Sequence, residues 1–116
     1  METKLSRDRD GKLQAETRIP LGFENRELRI ETSKHYSGGT ATTAKVVEVT
    51  ESGFRFAIGI GGSGKGDYSK TIAHERCRAT EKAIERLHHK ALAQQYAIEA
   101  EARAHYGQTV ASAVQA

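Results

Sequence analysis

The hydrophobic and polar positions of the chain change period along its length, and each change marks an expected element. Leu28, Ile30 and Thr32 alternate with Arg29, Glu31 and Ser33, the period-two pattern of a half-buried strand. Ser37-Gly38-Gly39 reads as a hairpin turn. Residues 40–50 are rich in Thr and Val, which favour strands, and Ser52-Gly53 marks a second turn. Phe54, Phe56, Ile58 and Ile60 then alternate with Arg55, Ala57, Gly59 and Gly61 as the clearest strand pattern in the chain. Before these, residues 1–12 are charged and end near Gly11, which reads as a loose terminus. Leu13–Ile19 reads as a short strand closed by Pro20 and Gly22. Residues 67–72 read as a last short strand.

From His74 to His105 the composition turns to Ala, Glu, Arg, Lys and Gln, and Gly107 supplies a stop signal, so the pattern predicts one long helix over 74–105. Ala73, Cys77, Thr80, Ile84, Leu87, Ala91, Gln95, Ile98 and Ala102 recur at steps of four and three, the stripe of a face packed on a sheet. A helix of about 30 residues spans roughly 45 Å, longer than a sheet of a few short strands is wide. Its second half therefore needs another partner, and a second subunit is the economical one. The expected fold is α+β: a small antiparallel β-meander over 13–72, one C-terminal helix that packs in an oligomer, and a frayed tail over 107–116, all in a single domain.

Composition narrows what such a fold does. The chain has 116 residues, of which 37% are hydrophobic and 6% aromatic, with no Trp. That core suits a sheet packed on a helix and excludes a deep enclosed substrate cavity within one subunit. The net charge of +3 permits an anionic partner without the dense basic stripe of a dedicated DNA binder. Cys77 is the only cysteine, so no intrachain disulfide forms and a reducing compartment fits. No apolar run approaches the roughly 20 residues that span a bilayer, and the N-terminal residues do not resemble a signal peptide. The expected compartment is the cytoplasm.

The run Gly59–Gly66 fits two phosphate-binding patterns superficially. Gly59-Ile60-Gly61-Gly62-Ser63-Gly64 matches GxGxxG but lacks the βαβ unit that gives the motif its meaning, and Gly59 through Lys65 matches GxxxxGK but has Gly66 where Ser or Thr would hold magnesium. An open row of backbone N–H groups beside Lys65 suits a phosphate; a plain hairpin connection suits the same residues. On one long helix His74 and Cys77 share a face, whereas His88 and His89 lie roughly 20 Å away, too far for one zinc ion. Cys77 is expected as a small core residue and the histidines as surface or interface groups. With no nucleophile set beside a base and no enclosed carboxylate pair, the chain reads as a binder and not an enzyme, with no cofactor and no metal.

Basic residues concentrate on Arg76, Arg78, Lys82 and Arg86, with Lys65 and Lys70 just before them. Guanidinium forks near a helix start suit a phosphorylated ligand. The same residues suit a salt-bridged surface with Glu81 and Glu85. Leu28–Tyr36, Thr42-Thr43-Ala44, Gly53–Phe56, Asp67-Tyr68-Ser69-Lys70, Arg78-Ala79-Thr80-Glu81-Lys82 and His89–Leu92 resemble, in order and spacing over about residues 27–92, the Thoeris anti-defence family of phage proteins. That resemblance implies a small sheet with long C-terminal helices, assembly as a homodimer or larger, and action as a sponge in the cytoplasm of an infected bacterial host. The sponge sequesters cyclic ADP-ribose signals, and in some members cyclic oligonucleotides, without hydrolysing them. The glycine run and the tail beyond Gln94 depart from the family pattern. On this reading Arg76, Arg78, Lys82 and Lys65 pair with phosphates, while Tyr36, Tyr68 or Phe54 stacks on a base. Residues 40–92 also look like the β-β-β-α half of a double-stranded RNA-binding domain, which needs a preceding helix that residues 1–26 do not pattern. A small protein-binding inhibitor of host machinery is the third class.

Overall fold

The computed structural model describes residues 3–7, 11–49, 55–57 (as backbone) and 68–107. The readings that fall on Phe54, on the glycine run with Lys65 and on the tail from residue 108 lie outside the described residues. Within them the elements are β1 (Thr3–Arg7), β2 (Leu13–Pro20), β3 (Arg26–Lys34), β4 (Thr40–Val49), β5 (Arg55–Ala57), β6 (Ser69–Glu75), α1 (Glu81–Leu92) and α2 (Gln95–His105). β1 to β5 lie side by side in chain order, each pair antiparallel. The N-terminal stretch, expected to be loose, contributes β1, which pairs Thr3–Arg7 with Leu13–Thr17.

β4 serves two partners along its outer edge. Its end, Val47–Val49, pairs with β5, and its beginning, Thr40–Lys45, pairs with β6. Ala57 lies opposite Val47, and the Val46 N–H donates to the Tyr68 carbonyl at 3.1 Å. β5 and β6 are therefore one interrupted column of the sheet. Ala57 and Tyr68 thus meet adjacent positions of β4, Val47 and Val46.

The architecture is α+β, but the expected long helix over 74–105 does not form. Residues 69–75 are the strand β6, and the helical part is two short helices with a turn at Ala93–Gln94. Helix propensity at Ala73 and Glu75 is weak against the alternative. Without β6, the N–H and C=O groups along half of β4, whose Thr40, Thr42 and Ala44 are fully buried, would have no partners on that side. Thr80 is the N-cap of α1, its hydroxyl accepting from the Ala83 N–H at 3.2 Å, with Glu81 in the first turn. Ile84, Leu87, Ala91, Ile98 and Ala102 of the expected stripe are buried. Ala73 and Cys77 precede the helix. Gly107 ends α2 with φ +74°. Because α1 lies over β2, β3, β4 and β6 and α2 over β4, both helices cover one sheet, and the overhang that argued for a second subunit is absent.

Alternate residues of the sheet face these helices. Ile19 of β2, Leu28 and Ile30 of β3, and Ala44 and Val46 of β4 meet Ala91, Ile98 and Ala102, and Leu21 and Tyr68 complete this core. At the centre of the same interface sits a polar chain. His88 is buried, with Nε2 2.8 Å from Thr17 Oγ1 and Nδ1 2.8 Å from Thr32 Oγ1. Thr17 continues to Thr3 at 2.7 Å and Thr32 to Thr42 at 2.6 Å. The expectation of surface histidines fails here: α1 presents His88 to the core and exposes only its neighbour His89. On the other face Glu16 of β2 is held by Arg18 and, at 2.6 Å, by Arg29, which also reaches Glu31 at 3.0 Å.

Both titratable groups act on stability in the same direction. Burial lowers His88 from its ordinary value of 6.5, so below that value the unfolded chain takes up a proton the fold refuses, and stability falls with pH. Burial pushes Glu16 up, but its arginine partners outweigh that and hold the carboxyl below its ordinary 4.5, so their contribution is present above that value and lost as pH falls through the folded one. Denaturant midpoints should therefore be flat between about pH 7 and 9, decline below about 6.5 and decline further below about 4.5. His88→Gln should remove most of the first decline and leave the second, and an unchanged first decline would refute the assignment to His88.

A second test concerns the β2–β3 turn. Glu24 and Asn25 stand at φ +47° and +54°, with the Arg26 N–H donating to the Phe23 carbonyl at 2.9 Å, the mark of a type I′ turn, which favours Asn-Gly. Glu in this left-handed conformation costs about 1–2 kcal/mol. Its ion pair with Arg26, from a largely exposed carboxylate, returns less than about 1 kcal/mol. Glu24→Asn should raise unfolding free energy by roughly 0.5–1 kcal/mol, measured by urea denaturation.

Candidate functional site

At one end of the sheet the β3–β4 turn, His35–Gly39, packs against the end of β6 and the connection to α1. The turn is closed by the His35 N–H donating to the Gly39 carbonyl and the Gly38 N–H to the His35 carbonyl, each at 3.0 Å. Gly39 is required by both conformation and space. It stands at φ +81°, and a Cβ there would lie 2.4 Å from the Glu75 carbonyl oxygen and 3.1 Å from His74 Nε2. The His74 Nε2–H donates to the Gly38 carbonyl at 2.9 Å, tying the turn to β6. The Ser37 N–H donates to His35 Nδ1 at 3.2 Å and its hydroxyl lies 2.6 Å from the same nitrogen. This network assigns the His35 proton to Nε2.

These bonds stack three rings. Tyr36 and His35 lie 4.3 Å apart at 33°, and His35 and His74 4.4 Å apart at 34°. Tyr36 ends the stack and is 96% exposed. Beside it opens a cleft of about 650 Å³ lined by Ser37, Gly38, Gly39, His74, Arg76, Cys77 and Arg78. The connection that carries the two arginines is anchored at its middle, where Thr40 Oγ1 donates to the Cys77 carbonyl at 3.2 Å. Arg86 of α1 grips both carboxylate oxygens of Glu75 at 3.2 and 3.1 Å.

The charges of the cleft are unusually placed. Arg18, Arg26, Arg29, Arg86 and Arg103 each have a carboxylate partner, and Arg7 donates to the Gly11 carbonyl. Among the arginine side chains described, Arg76 and Arg78 alone have neither an ion pair nor a hydrogen bond. Both are exposed. A second depression of about 500 Å³ lies at the β2–β3 turn, but its cation, Arg26, is paired with Glu24 and lies 4.0 Å over the Tyr106 ring.

Of the expected site residues, the structure brings Arg76 and Arg78 together in the cleft, with Tyr36 beside it on the same turn. Lys82 is exposed in the first turn of α1 and does not line the cleft. Tyr68 belongs to the core: it is 5% exposed, and its hydroxyl donates to Glu101 at 3.1 Å. Burial and the Glu101 carboxylate push that phenol up to about 12. Lys65 and Phe54 lie outside the described residues. Cys77, expected in the helix core, is half-buried before α1, its sulfur near Thr40 and Arg86. The sequence reading missed His35, His74 and the clamp at Gly39. Their only signal was the Gly-Gly pair, because the register that seats His74 opposite Ala41 appears once β6 is known to pair with β4. In comparisons with protein-family models, curated proteins and solved structures, the chain matches none.

The clamp has a direct test. Gly11 and Gly39 share a φ, +80° and +81°, but a Cβ at Gly11 meets nothing within 4 Å. Gly11→Ala should lose about 1–2 kcal/mol from conformation alone. Gly39→Ala should lose clearly more in urea denaturation, since the Glu75 backbone must also move. Equal losses would mean that the turn is not held against β6.

Proposed function

We propose that the chain is a non-covalent binder of a small phosphate-bearing ligand, held in the cleft between the β3–β4 turn and the β6–α1 connection. The observation that carries this reading is the pair of unpartnered arginines, Arg76 and Arg78, on the wall of that cleft. Guanidinium groups set side by side suit phosphate oxygens, with charge-assisted bonds roughly twice as strong as neutral ones. The exposed face of Tyr36 offers a flat ligand group a surface that continues the ring stack. A cleft of about 650 Å³ falls in the usual range for small-ligand sites. Helix electrostatics supports the same reading. Arg76 and Arg78 lie on the connection that runs into the N-cap of α1, the end of the helix where the macrodipole is positive and an anion is favoured.

In its specific form the proposal is a phage sponge that sequesters cyclic nucleotide immune signals, cyclic ADP-ribose isomers among them, inside an infected bacterium. The resemblance over residues 27–92 is the support for that specificity, and the cleft supports the phosphate. Incubation with candidate cyclic nucleotides, followed by heat denaturation and chromatography, should return the ligand intact. Degraded ligand would show an enzyme, and no capture would remove the sponge reading. Affinity that collapses between low and physiological salt on duplex RNA, with no small ligand bound, would move the assignment to nucleic acid.

The residues make a sharper forecast. Arg76→Ala or Arg78→Ala should weaken capture about ten- to a hundred-fold, the loss of one charge-assisted hydrogen bond, while the melting temperature stays near that of the parent because neither side chain has a partner to lose. Lys82→Ala, outside the cleft, should change capture less than either arginine does. Equal capture by all three variants and the parent, by isothermal titration calorimetry, would place the site elsewhere.

A further inference from the structure

At the side away from the cleft the sheet ends at β1. β2 takes one side of this strand, and among the described residues no strand pairs its outer side. All five of its residues are exposed. Alternate N–H and C=O groups of such an edge point outward and are open to strand addition. Beside the edge a groove of about 280 Å³ opens between β1 and α1, with Thr3, Leu5, Ala15, Glu85, His89 and Leu92 among its lining residues.

Charge decides what the edge accepts. The bond between Thr3 and Thr17 places Thr3, and with it Leu5 and Arg7, on the helix side, and leaves Lys4 and Ser6 on the other face. Among the described residues Lys4 has no ion-pair partner, because Glu16, which stands opposite it, is held by Arg18 and Arg29. Arg7 donates to the Gly11 carbonyl and to no carboxylate. A second β1 would gather these cations, and charge on an edge also guards it against neutral strands. The same charges select an acidic strand. The groove itself carries a carboxylate, Glu85, so the side chain that enters it beside Leu5 is aliphatic.

We infer that β1 is a docking edge for an extended acidic segment of another protein, which adds antiparallel as the next strand of the sheet. The order of residues in β1 sets the segment's pattern. Opposite Arg7 stands an acidic residue on the helix side, opposite Leu5 an aliphatic one seated in the groove, and opposite Lys4 an acidic one on the far face. Read in the antiparallel direction, the pattern is acidic, any residue, aliphatic, acidic. Backbone bonds supply affinity and the three side chains supply specificity. No residue of the edge or its groove lines the cleft.

Fluorescence polarisation on the full chain tests the inference, with the labelled, end-capped hexapeptide Thr-Asp-Thr-Val-Glu-Thr as the probe. It should bind with a dissociation constant of roughly 100 μM, as expected of a short strand held largely by backbone bonds. Lysine in place of both acids of the peptide, or threonine in place of its valine, should each weaken binding by ~10-fold or more. The double variant Lys4→Glu, Arg7→Glu should reverse the preference and take the lysine peptide over the acidic one. N-methylation of the peptide gives a reading that depends on no variant's folding. Only alternate N–H groups of an added strand face β1, so methylating one alternate set should abolish binding and methylating the other should leave it within about twofold. No binding of the acidic peptide would mean that the cations only guard the edge, and would overturn the proposal. So would equal binding of the peptide that lacks valine, the mark of a plain charge surface, an unchanged preference in a folded double variant, or equal effects of the two methylated sets.

Discussion

The pairing of β6 with the outer edge of β4 is the constraint on which the rest of the structure depends. β4 lies inside the sheet, and its buried stretch from Thr40 to Val47 leaves no room for water to satisfy its backbone. Once β6 takes that edge, Glu75 ends beside Thr40, and the five residues to the cap of α1 cross the end of the sheet where the β3–β4 turn comes down. Gly39 is then compelled, because the Glu75 carbonyl stands where a side chain would be. The cleft, the ring stack and the position of both free arginines follow from one strand register.

The interior explains how that register is kept. A sheet–helix interface made only of aliphatic side chains tolerates sliding better than one with directional bonds. Here His88 bridges Thr17 on β2 and Thr32 on β3, and Thr32 passes the link to Thr42 on β4. A one-residue slip of β2 or β3 turns its threonine to the opposite face and strands an imidazole nitrogen in the core, and a slip of β4 takes Thr42 from Thr32. The same bonds fix the rotation of α1 about its axis. That rotation points Arg86 at Glu75 and so ties the helix to the end of β6. Thr32 and Thr42 stand on the two strands that lead into and out of the His35–Gly39 turn, so the polar chain holds the frame the cleft is built on.

This is also why the strands were legible in the sequence while the helices and the cleft were not. Leu28, Ile30 and Thr32 alternate cleanly because one face of β3 is covered, and Ser37-Gly38-Gly39 turns because two positive φ angles are needed there. Residues 67–72 were expected as a short strand, but its continuation through Ala73–Glu75 had no such signature. At the sheet edge, with a bulge at Ile72, their alternation is broken, and Ala73, Glu75 and Arg76 carry helix propensity that a neighbouring strand overrules. Thr80 was counted in an apolar stripe although Thr followed by Glu is also the opening of a helix. Arg76 and Arg78 therefore fell within the expected helix over 74–105, when they precede α1. His88 sits on a helix beside His89 and looks identical to it in sequence. Only the threonines on three strands distinguish the two, and their convergence is a tertiary fact.

The misplacement of Arg78 changes what its charge means. On a helix ridge, Arg78 would find Glu81 or Glu85 about a turn away and be neutralised for a few tenths of a kcal/mol. Before the cap, its backbone runs in another direction, and neither glutamate makes an ion pair with it. Acid was available, since Glu75 lies in the same segment, yet Arg86 takes it with two bonds. Arg76 and Arg78 are thus left as the uncompensated cations of a region whose helix dipole is also positive. Under the proposed function this is the arrangement an anionic ligand needs: two guanidiniums with no ion pair to give up, beside a glycine turn and an exposed ring.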